Sequence, residues 1–531
     1  MANPSIPTIT LRDNLFADFG LLLEREGNNF GVSQKNRANA YRVPGNGNQS
    51  LSTGKSGEKK TLAPVKGILN ENFRKLLEDY GSKTLGDLLS SSESILDLTP
   101  ESHLDKEERK KLRFFSYEGE KQEKKSVISF RLDTGNLMGV LRFRGKDQKQ
   151  AVQVQVLSRF DGGGKNYFLN YLLSRAFDVS LGTDDVSSKQ ESILDNLLDL
   201  LFIRRLADAV GRVGLFKQYR ERRNNDWNFK GRLDLPRHLR ENIPLMRGIA
   251  YVKREIEHDV PLNQMILLAA KEVRKRQPGI FDRNEDARKA LRDLLVAIPT
   301  PGTVRDILRE RTCREPVSQP YYREAYEPLR LVARMILEKE QWALFADNGD
   351  TEVSGVVFDG SWLWEEYVAT VLAEAGFRHG TEPLLRVFAN KPKRFIPDFY
   401  HSDGSGEQGC DVVLDAKYKR SNPEGQREDI HQVLCYLLLT GATHGGLVFP
   451  PVEDKTPRTF EDEGTKEDII DENKEGGWSD ELDIASPDAT RKWSCFSWAP
   501  IKTEDTVSWH SFCKHMEKQE EALKNGFSAE R

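Results

Sequence analysis

Two hydrophobic periods alternate in the first third of the chain. Apolar residues recur at helical spacing over 68–98, whereas apolar and polar residues alternate over 127–143 and 151–160 in the manner of paired strands. A polar stretch rich in Gly, Ser and Asn at 29–60 predicts a flexible loop. Residues 1–185 are therefore predicted to form a mixed α/β domain.

The middle of the chain, residues 186–345, is predicted to be mainly helical. Helical spacing also covers 263–276 and 328–337. The longest amphipathic helix starts near Ser187, and its apolar face consists of Ile193, Leu194, Leu197, Leu198, Leu201 and Leu206.

The last third, residues 346–531, combines both periods in a compact order. Helical spacing at 360–375 is followed by two strand-like runs at 393–400 and 410–418, which a Gly-rich segment separates. A helix at 424–439 and a short apolar strand at 447–449 complete an αββαβ sequence of elements. The whole chain is thus predicted to be an α+β multidomain protein with three consecutive domains.

Charge is distributed unevenly along the chain, although the formal total is only -4. Residues 204–254 contain fourteen bases against five acids, a local charge of +9, which indicates either a phosphate-binding surface or a solvated basic face. Residues 453–488 contain fourteen acids against four bases and are predicted to form a mobile surface insertion, with a DNA-mimicking arm as the alternative.

Several classes of protein are excluded by the sequence. Apolar runs are too short for a transmembrane helix, and the first residues lack the features of a secretory signal. Five scattered cysteines without C-x-x-C spacing favour a reducing, cytoplasmic location. The tripeptide Gly54-Lys55-Ser56 resembles the end of a P-loop, but Gln49 replaces the required glycine, so nucleotide hydrolysis by this chain is not expected.

Three charged residues in the two strand-like runs near the C-terminus carry the strongest chemical signal. Asp398 follows Pro397 in the first strand, and Asp415-Ala416-Lys417 lies in the second. Because side chains alternate along a strand, Asp415 and Lys417 share a face. If the strands pair as a hairpin, Asp398 comes close to Asp415, and two adjacent carboxylates suit Mg²⁺.

Phosphodiester hydrolysis needs a divalent ion and a cation that orients the nucleophile. Lys417 can supply the cation, and Glu365 or Glu366 on the preceding helix can supply a further acid. A strand-borne D-x-K alone is more often a surface ion pair. The ordered helix, Pro-Asp, turn, D-x-K and second helix favour a catalytic site instead.

The same residues carry a resemblance to a known family. The set resembles the PD-(D/E)xK nuclease superfamily and, more specifically, the McrC family, the nuclease subunits of McrBC-type, 5-methylcytosine-specific restriction systems. The resemblance is good from about 200 to 450 and weak before 200. Its motifs are Leu363-Trp364-Glu365-Glu366-Tyr367-Val368, Ile396-Pro397-Asp398, Leu414-Asp415-Ala416-Lys417-Tyr418, Asp429-Ile430-His431-Gln432 with Tyr436, Phe229-Lys230-Gly231-Arg232-Leu233-Asp234 with Arg237-His238 and Asn242, and Asp259-Val260-Pro261-Leu262-Asn263.

The resemblance implies a C-terminal core like that of restriction endonucleases and a role for each site residue. Asp398, Asp415 and the Ala416 carbonyl would bind Mg²⁺ or Mn²⁺, Lys417 would polarise the attacking water, and Glu365 matches the helix acid better than Glu366 does. Auxiliary residues are expected on one face of the following helix, with a polar stripe that has no role in the site as the alternative. They are Asp429, Gln432 and Tyr436.

Partners are also implied by the resemblance. McrC-like subunits work with a McrB-like AAA+ GTPase hexamer and cut double-stranded DNA, with methylated DNA among the expected substrates. The N-terminal domain would dock the partner, although the 29–60 loop and the acidic insertion depart from the family pattern. Residues expected to contact DNA or the partner are Arg222, Arg223, Lys230, Arg232, Arg237 and Arg240.

The hypothesis is therefore a Mg²⁺-dependent DNA endonuclease subunit of a McrBC-like restriction system, which is driven by its AAA+ partner and stimulates it. The alternative is a non-catalytic adaptor that activates an AAA+ partner, or a nucleic-acid-binding protein that uses residues 204–254. A nuclease that acts alone is less favoured.

Overall fold

The structure is a computed structural model of the 531-residue chain. It describes residues 8–14, 16–23, 30–31, 65–66, 71–92, 95–100, 106–118, 122–123, 127–144, 151–161, 166–177, 192–243, 248–341, 353–380, 385–386, 394–402, 410–419, 426–451, 477–479, 482–484, 491–498 and 508–526. Residues 32–60 of the predicted loop and most of the acidic segment lie outside the described residues.

The N-terminal segment is a mixture of short helices and strands. Its strands are β1 (Thr8–Arg12), β2 (Phe16–Leu23), β3 (Phe30–Gly31), β4 (Val65–Lys66), β5 (Ile95–Asp97), β6 (Ser116–Glu118), β7 (Gln122–Glu123), β8 (Val127–Asp133), β9 (Leu137–Arg144) and β10 (Ala151–Leu157). Its helices are α1 (Glu71–Gly81), α2 (Leu85–Ser91), α3 (Lys106–Lys111) and α4 (Tyr167–Ala176).

The middle segment contains helices and a small sheet. Its elements are α5 (Ser192–Val213), β11 (Gln218–Asp226), β12 (Arg232–Leu233), α6 (Leu235–Asn242), β13 (Ile249–Glu257), α7 (Pro261–Arg276), a 3-10 turn (Ile280–Arg283), α8 (Glu285–Ala297), α9 (Val304–Arg309), α10 (Arg311–Arg314) and α11 (Pro320–Gln341).

The C-terminal segment begins with a strand that belongs to the N-terminal sheet. Its elements are β14 (Val353–Asp359), α12 (Gly360–Ala373), β15 (Arg378–His379), β16 (Leu385–Arg386), β17 (Arg394–Phe395), β18 (Phe399–His401), β19 (Val412–Ala416), α13 (Arg427–Thr440), β20 (His444–Phe449), β21 (Gly477–Trp478), β22 (Leu482–Ile484), β23 (Arg491–Ser497) and α14 (Trp509–Asn525).

Among the described residues, two large sheets organise the N- and C-terminal segments. One has the order β4-β1-β10-β9-β14-β5, and the other has the order β15-β18-β19-β20-β23-β21 with β22 also paired to β23. The first is mixed, since β1 runs parallel to β10 while β9 runs antiparallel to both β10 and β14. A separate sheet, β3-β2-β8-β6, carries β7 on β8, and β16 pairs with β17.

Buried apolar residues cover both large sheets. In the first, the alternating side chains of β10 place Val152, Val154 and Val156 in a core with Leu77 and Phe143. In the second, the face of β19 that carries Val413 packs against Val433, Tyr436 and Leu437 of α13. Because Leu414 on the other face is buried too, β19 is a central strand covered on both sides.

The described chain separates into two compact units. One comprises residues 1–178, 186–196 and 345–531, and the other comprises 179–185 and 197–344. The sequence predicted three consecutive domains, whereas here the first and last segments share one unit. The physical reason is that β14 completes the N-terminal sheet between β9 and β5, a long-range pairing that hydrophobic periodicity does not reveal.

Several predicted elements are confirmed and others need correction. The predicted strand at 127–143 divides into β8, which pairs with β2, and β9, which pairs with β10. The C-terminal αββαβ order is present as α12, β18, β19, α13 and β20, with the short strands β15, β16 and β17 in addition. The predicted helix over 68–98 is two helices and strand β5: α1 ends at Gly81, and Thr84 caps the start of α2 in a capping box with Asp87. Helix α11 (Pro320–Gln341) is longer than the helix predicted at 328–337 and continues through Pro328.

Two further corrections concern the charged segments. The basic stretch 204–254 is not mainly helical, because its charged β11 pairs along its whole length with β13 in the order β11-β13-β12. Because β11 is polar along almost its whole length, it has no alternation of apolar and polar residues that would have predicted a strand. The acidic segment is not all mobile insertion: β21 and β22 within it pair with β23, using the few apolar residues between the acids.

A pair of glycines permits the close approach of β14 to β9. Gly139 and Gly355 have φ values of 131° and 149°, and a Cβ on Gly355 would lie 2.0 Å from the Val140 carbonyl oxygen. A Cβ on Gly139 would meet the Val356 carbonyl oxygen at 2.1 Å. Since both obstacles are main chain, no side-chain movement relieves them.

We expect Gly355→Ala to destabilise the unit that contains the N- and C-terminal segments. A Cβ at this position requires both a disfavoured φ and a displaced strand, at a combined cost of roughly 2 kcal/mol or more. Urea unfolding should show a lower midpoint for this variant. Gly135→Ala is the matched control, since nothing lies within 4 Å of its added Cβ, and an equal effect of both changes would contradict the account.

Candidate active site

Helix α12 brings one acid to the site. Asp359 at the end of β14 caps the helix by accepting hydrogen bonds from the Ser361 and Trp362 amides at 2.7 and 3.3 Å. The helix buries Trp364, whose Nε1 donates to the Val448 carbonyl at 3.3 Å and so fixes the helix against β20. The next residue, Glu365, is half-buried on the side towards the second sheet's acids.

The two predicted strands do pair as a hairpin. Phe399 of β18 lies opposite Leu414 of β19 in an antiparallel ladder. Asp398, one residue earlier, is beside the end of β19, and its Oδ2 accepts a hydrogen bond from the Ala416 amide at 2.8 Å. The predicted proximity of Asp398 to the Asp415-Ala416-Lys417 tripeptide is thus a feature of the structure.

Lys417 is held between two partners. Its Nζ lies 2.6 Å from Asp415 Oδ2 and donates a hydrogen bond to Gln432 Oε1 at 2.8 Å. Gln432 in turn donates through Nε2 to Asp415 Oδ1 at 2.9 Å and to the Tyr436 hydroxyl at 2.8 Å. Tyr436 donates to the Ile396 carbonyl at 2.8 Å, which closes a network across α13, β19 and the chain before Asp398.

The auxiliary helix residues therefore divide into two groups. Gln432 and Tyr436 enter the network, as their shared helix face had suggested. Asp429 forms an ion pair with Lys419 and a capping box with Gln426 at the start of α13, so its contacts stabilise the helix end. Glu365, and not Glu366, is the helix acid whose charge acts on both Asp398 and Asp415.

Electrostatics at this site are unfavourable without a cation. Burial, followed by the charges of Asp415 and Glu365, raises the pKa of Asp398 well above its usual value. Burial also raises the pKa of Asp415, although Lys417 opposes this shift. Burial acts to lower the pKa of Lys417, but the charge of Asp415 outweighs it and raises that pKa, so the lysine is an ammonium at neutral pH.

A histidine that the sequence analysis did not single out contacts the helix acid. His379 Nε2 lies 2.7 Å from Glu365 Oε1, and its ring stacks on Phe399 at 5.5 Å between centroids. The hydrogen bond to Glu365 raises the pKa of His379. Its short strand, β15, pairs with β18, and this edge pairing has no local sequence signal that would have revealed the contact.

The donor set fits a hard divalent cation in part. Asp415 Oδ2 is buried and, apart from the close approach of Lys417, none of the described residues donates a hydrogen bond to it. Two carboxylates with an adjacent main-chain carbonyl match Mg²⁺, which keeps several waters and takes few protein ligands. Within the described part of the chain, however, no three His, Cys, Asp or Glu side chains stand together as a ready metal cage.

The predicted basic contact residues lie on the β11-β13-β12 sheet and α6 of the other unit. Arg223, Lys230, Arg232 and Arg240 are exposed. Arg222 is exposed but pairs with Glu255 and Glu257. Arg237 differs: it is mostly buried and donates to the carbonyls of Asn224 and Tyr251, so it fixes α6 to the sheet.

The same surface exposes large apolar side chains. Trp227 is 63% exposed and Phe229 is 46% exposed, in the connection between β11 and β12. On α6 and just after it, the apolar residues Leu235, Leu239 and Ile243 are also about half exposed. We call this set, together with Arg232 and Arg240, the apolar–basic surface. The sequence shows the charge of this surface and the aromatic residues among the bases, whereas the exposure of Leu235, Leu239 and Ile243 is visible only in the structure.

Comparison with known proteins identifies the family. The sequence model of the McrBC 5-methylcytosine restriction system component matches residues 132–450, more than half of the chain. The chain belongs to this family. The match to the McrBC family spans β9, β14, α12 and the hairpin with Asp398 and Asp415, so the site described above lies within the family region. Among curated proteins, none matches.

Two solved structures from Thermococcus gammatolerans are similar at low identity. One is a refined half-complex from a tetradecameric assembly of McrB AAA+ hexamers with bound McrC, at 17% identity and a TM-score of 0.42, covering 75% of this chain and 84% of that chain. The other is the McrBC complex, at 16% identity and a TM-score of 0.28, covering 69% and 88%. No helix in the described part of the present chain has the length and apolar character needed to cross a membrane.

We expect Asp398→Asn to stabilise the metal-free protein. Because burial raises the pKa of Asp398 well above its usual value, the wild type loses stability as the pH rises through the titration of this carboxyl, and the amide variant does not. In EDTA, urea unfolding should show the variant more stable than wild type at pH 7, with a smaller difference at pH 4. Glu366→Gln, on the same helix as Glu365, is the control. Equal stability of Asp398→Asn and wild type at pH 7 would contradict the claim that the charged form of Asp398 destabilises the metal-free protein.

Proposed function

We propose that this McrBC-family chain is the DNA endonuclease subunit of its restriction system and hydrolyses phosphodiesters with Mg²⁺ or Mn²⁺ in a PD-(D/E)xK site. The observation that carries the proposal is the placement of Lys417 between Asp415 and Gln432, beside Asp398 and near Glu365. A surface ion pair would not pair a lysine with a carboxylate that is only 1% exposed, beside a second acid whose pKa burial also raises.

The metal would be held by Asp398, Asp415 and the Ala416 carbonyl, with Glu365 as a further acid. Such an ion supplies charge neutralisation for the scissile phosphate and lowers the pKa of a bound water. Mutual repulsion among the carboxylates favours a cation here, since a bound cation converts a destabilising group of charges into a ligand set.

The protein's own groups would orient the reaction. Lys417 points its ammonium towards the acids and can hold the attacking water by a hydrogen bond. Gln432 accepts a hydrogen bond from that ammonium through Oε1 and donates one to Asp415 through Nε2. One side-chain amide therefore sets the distance between the Lys417 ammonium and the proposed metal ligand Asp415. Tyr436 prevents rotation of the amide because it accepts from Nε2 and is itself bonded to Ile396.

We expect Lys417→Met to abolish cleavage in a protein that still folds, with some loss of stability because Asp415 loses its cationic partner. The substitution keeps the length of the side chain but removes the ammonium, and loss of a proton-transfer or water-orienting group costs about a hundredfold in rate or more. The measurement is Mg²⁺-dependent cutting of methylated and unmethylated duplex DNA in the presence of the AAA+ partner and GTP.

The matched control is Lys419→Met, two residues later. Lys419 forms an ion pair with Asp429 at the start of α13 and not with Asp398, Asp415 or Glu365. It should retain cutting within a few-fold of wild type. Wild-type rates in Lys417→Met would refute the catalytic role of this lysine. Wild-type stimulation of the partner's GTPase by Lys417→Met, together with lost cutting, would separate the two activities.

We further propose that the apolar–basic surface docks a McrB-like AAA+ GTPase hexamer and stimulates it. Monomeric proteins rarely expose so many large apolar side chains in one place, and interfaces are rich in Trp and Arg. The N-terminal part, which was expected to dock the partner, has its described strands and helices in the same compact unit as the proposed nuclease site. The second candidate function, a non-catalytic activator, rests on this surface alone.

We expect the double substitution Trp227→Ala and Phe229→Ala to reduce stimulation of the partner's GTPase about tenfold or more, since truncation of an aromatic hot spot costs roughly 2 kcal/mol or more. Tyr321→Ala, an equally exposed aromatic on α11, should have little effect. Unchanged stimulation in the double variant would rule out docking through these aromatics. Unchanged stimulation with weakened DNA binding would assign the surface to nucleic acid instead.

A further inference from the structure

Three distant parts of the chain meet directly behind Lys417. Asp13 follows β1, Arg159 follows β10, and Tyr418 follows Lys417 itself. All three belong to the compact unit that contains the proposed active site. Asp13 is fully buried, and the Arg159 side chain is only 15% exposed, so this is an interior cluster rather than a surface one.

Arg159 joins the other two residues. Its main-chain amide donates to Asp13 Oδ1 at 2.5 Å, and its Nη1 donates to Asp13 Oδ2 at 3.1 Å. Its Nη2 donates to the main-chain carbonyl of Tyr418. The guanidinium also lies over the Phe160 and Tyr418 rings, at 5.0 and 4.9 Å from the centroids. One side chain therefore links the end of β10 to the main chain that follows β19.

The Tyr418 side chain is fixed to the same region. Its hydroxyl is 2.7 Å from Ser158 Oγ, and its ring packs edge-on against Phe160 with centroids 4.9 Å apart. Tyr418 thus presents its ring, hydroxyl and carbonyl to the N-terminal sheet. Since side chains alternate, Lys417 points away from that sheet and towards Asp415 and Gln432.

Lys417 lies just beyond the end of the hydrogen-bonded ladder between β19 and β20. The last β19 residue paired in the parallel ladder with β20 is Ala416, opposite Val448. Beyond it the Lys417 amide still donates to the Val448 carbonyl at 2.9 Å, and the Lys419 amide donates to the Lys417 carbonyl at 2.9 Å. The bond from Arg159 to the Tyr418 carbonyl then holds the main chain after the ladder ends.

We propose that Arg159 is a positioning residue for Lys417: it fixes the main chain at Tyr418 from the N-terminal sheet and so sets where the neighbouring ammonium lies. The inference rests on the proposed nuclease function, and it adds to it a role for the N-terminal segment within the site. Asp13 orients the guanidinium, since it receives both the side-chain and the main-chain donors of Arg159.

Only a planar, forked group performs this task. Arginine presents several donors at fixed angles, so it can bind the Asp13 carboxylate and the Tyr418 carbonyl together while it stacks on aromatic rings. Lysine keeps the charge but is a single point donor, and it cannot make both contacts in the same geometry. Arg159→Lys therefore removes the link without removing the charge.

The test compares Arg159→Lys with Arg142→Lys in the full chain. Arg142 lies on β9 of the same sheet and donates to Gln153 at 2.8 Å, outside the contacts with Tyr418. With the partner and GTP, we expect Arg159→Lys to lower kcat for Mg²⁺-dependent cleavage about ten- to hundredfold, as small displacements of a catalytic group do, with KM for DNA nearly unchanged. Arg142→Lys should retain the wild-type kcat.

Hydrogen exchange of the free chain gives a readout independent of cleavage. Amides at 417–419 should exchange faster in Arg159→Lys than in wild type or Arg142→Lys, while β20 remains protected. Unchanged kcat and unchanged exchange in Arg159→Lys would overturn the proposal, as would equal losses in both variants. If the wild type cuts no DNA, the nuclease function fails, and the exchange data alone then decide whether Arg159 fixes this segment.

Discussion

The pairing of β14 with β9 is the contact on which the rest of this unit depends. It inserts a strand from the last third of the chain into the sheet formed by the first, and a glycine on each strand permits the approach. Asp359 then ends β14 and caps α12. Because Glu365 lies within the first two turns of α12, the pairing of β14 also determines where Glu365 lies. Arg159 follows β10 of the same sheet and donates a hydrogen bond to the Tyr418 carbonyl, next to Lys417.

Electrostatics explain why the site is built from buried elements. Asp415 lies on a strand covered on both faces, where an uncompensated carboxylate is costly. Lys417 and the Gln432 amide compensate it in part, while Asp398 remains strongly disfavoured as an anion. Functional sites commonly retain such unfavourable charge because the ligand or transition state relieves it. Metal binding and stability are therefore expected to be linked at Asp398.

The sequence predicted the local parts of this arrangement better than its long-range parts. The hairpin, the α13 helix and the shared face of Gln432 and Tyr436 follow from periodicity and short spacing. His379 could not be predicted, because it reaches Glu365 only through the pairing of β15 with β18. Arg159 could not be predicted either, because its contact with Tyr418 joins residues that are 259 positions apart. The polar β11 was missed since exposed residues on both faces give no period-2 pattern, and the role of Arg237 required its burial to be known.

The central proposal is that the carboxylates at the end of the β18–β19 hairpin bind the metal ion required for DNA cleavage. The most direct measurement is the rate of DNA cleavage as a function of Mg²⁺ concentration for wild type and Asp398→Asn, each with the AAA+ partner and GTP. The account predicts that the wild-type rate rises and saturates, while the variant stays at background at every concentration. A variant that reaches the wild-type rate would contradict it.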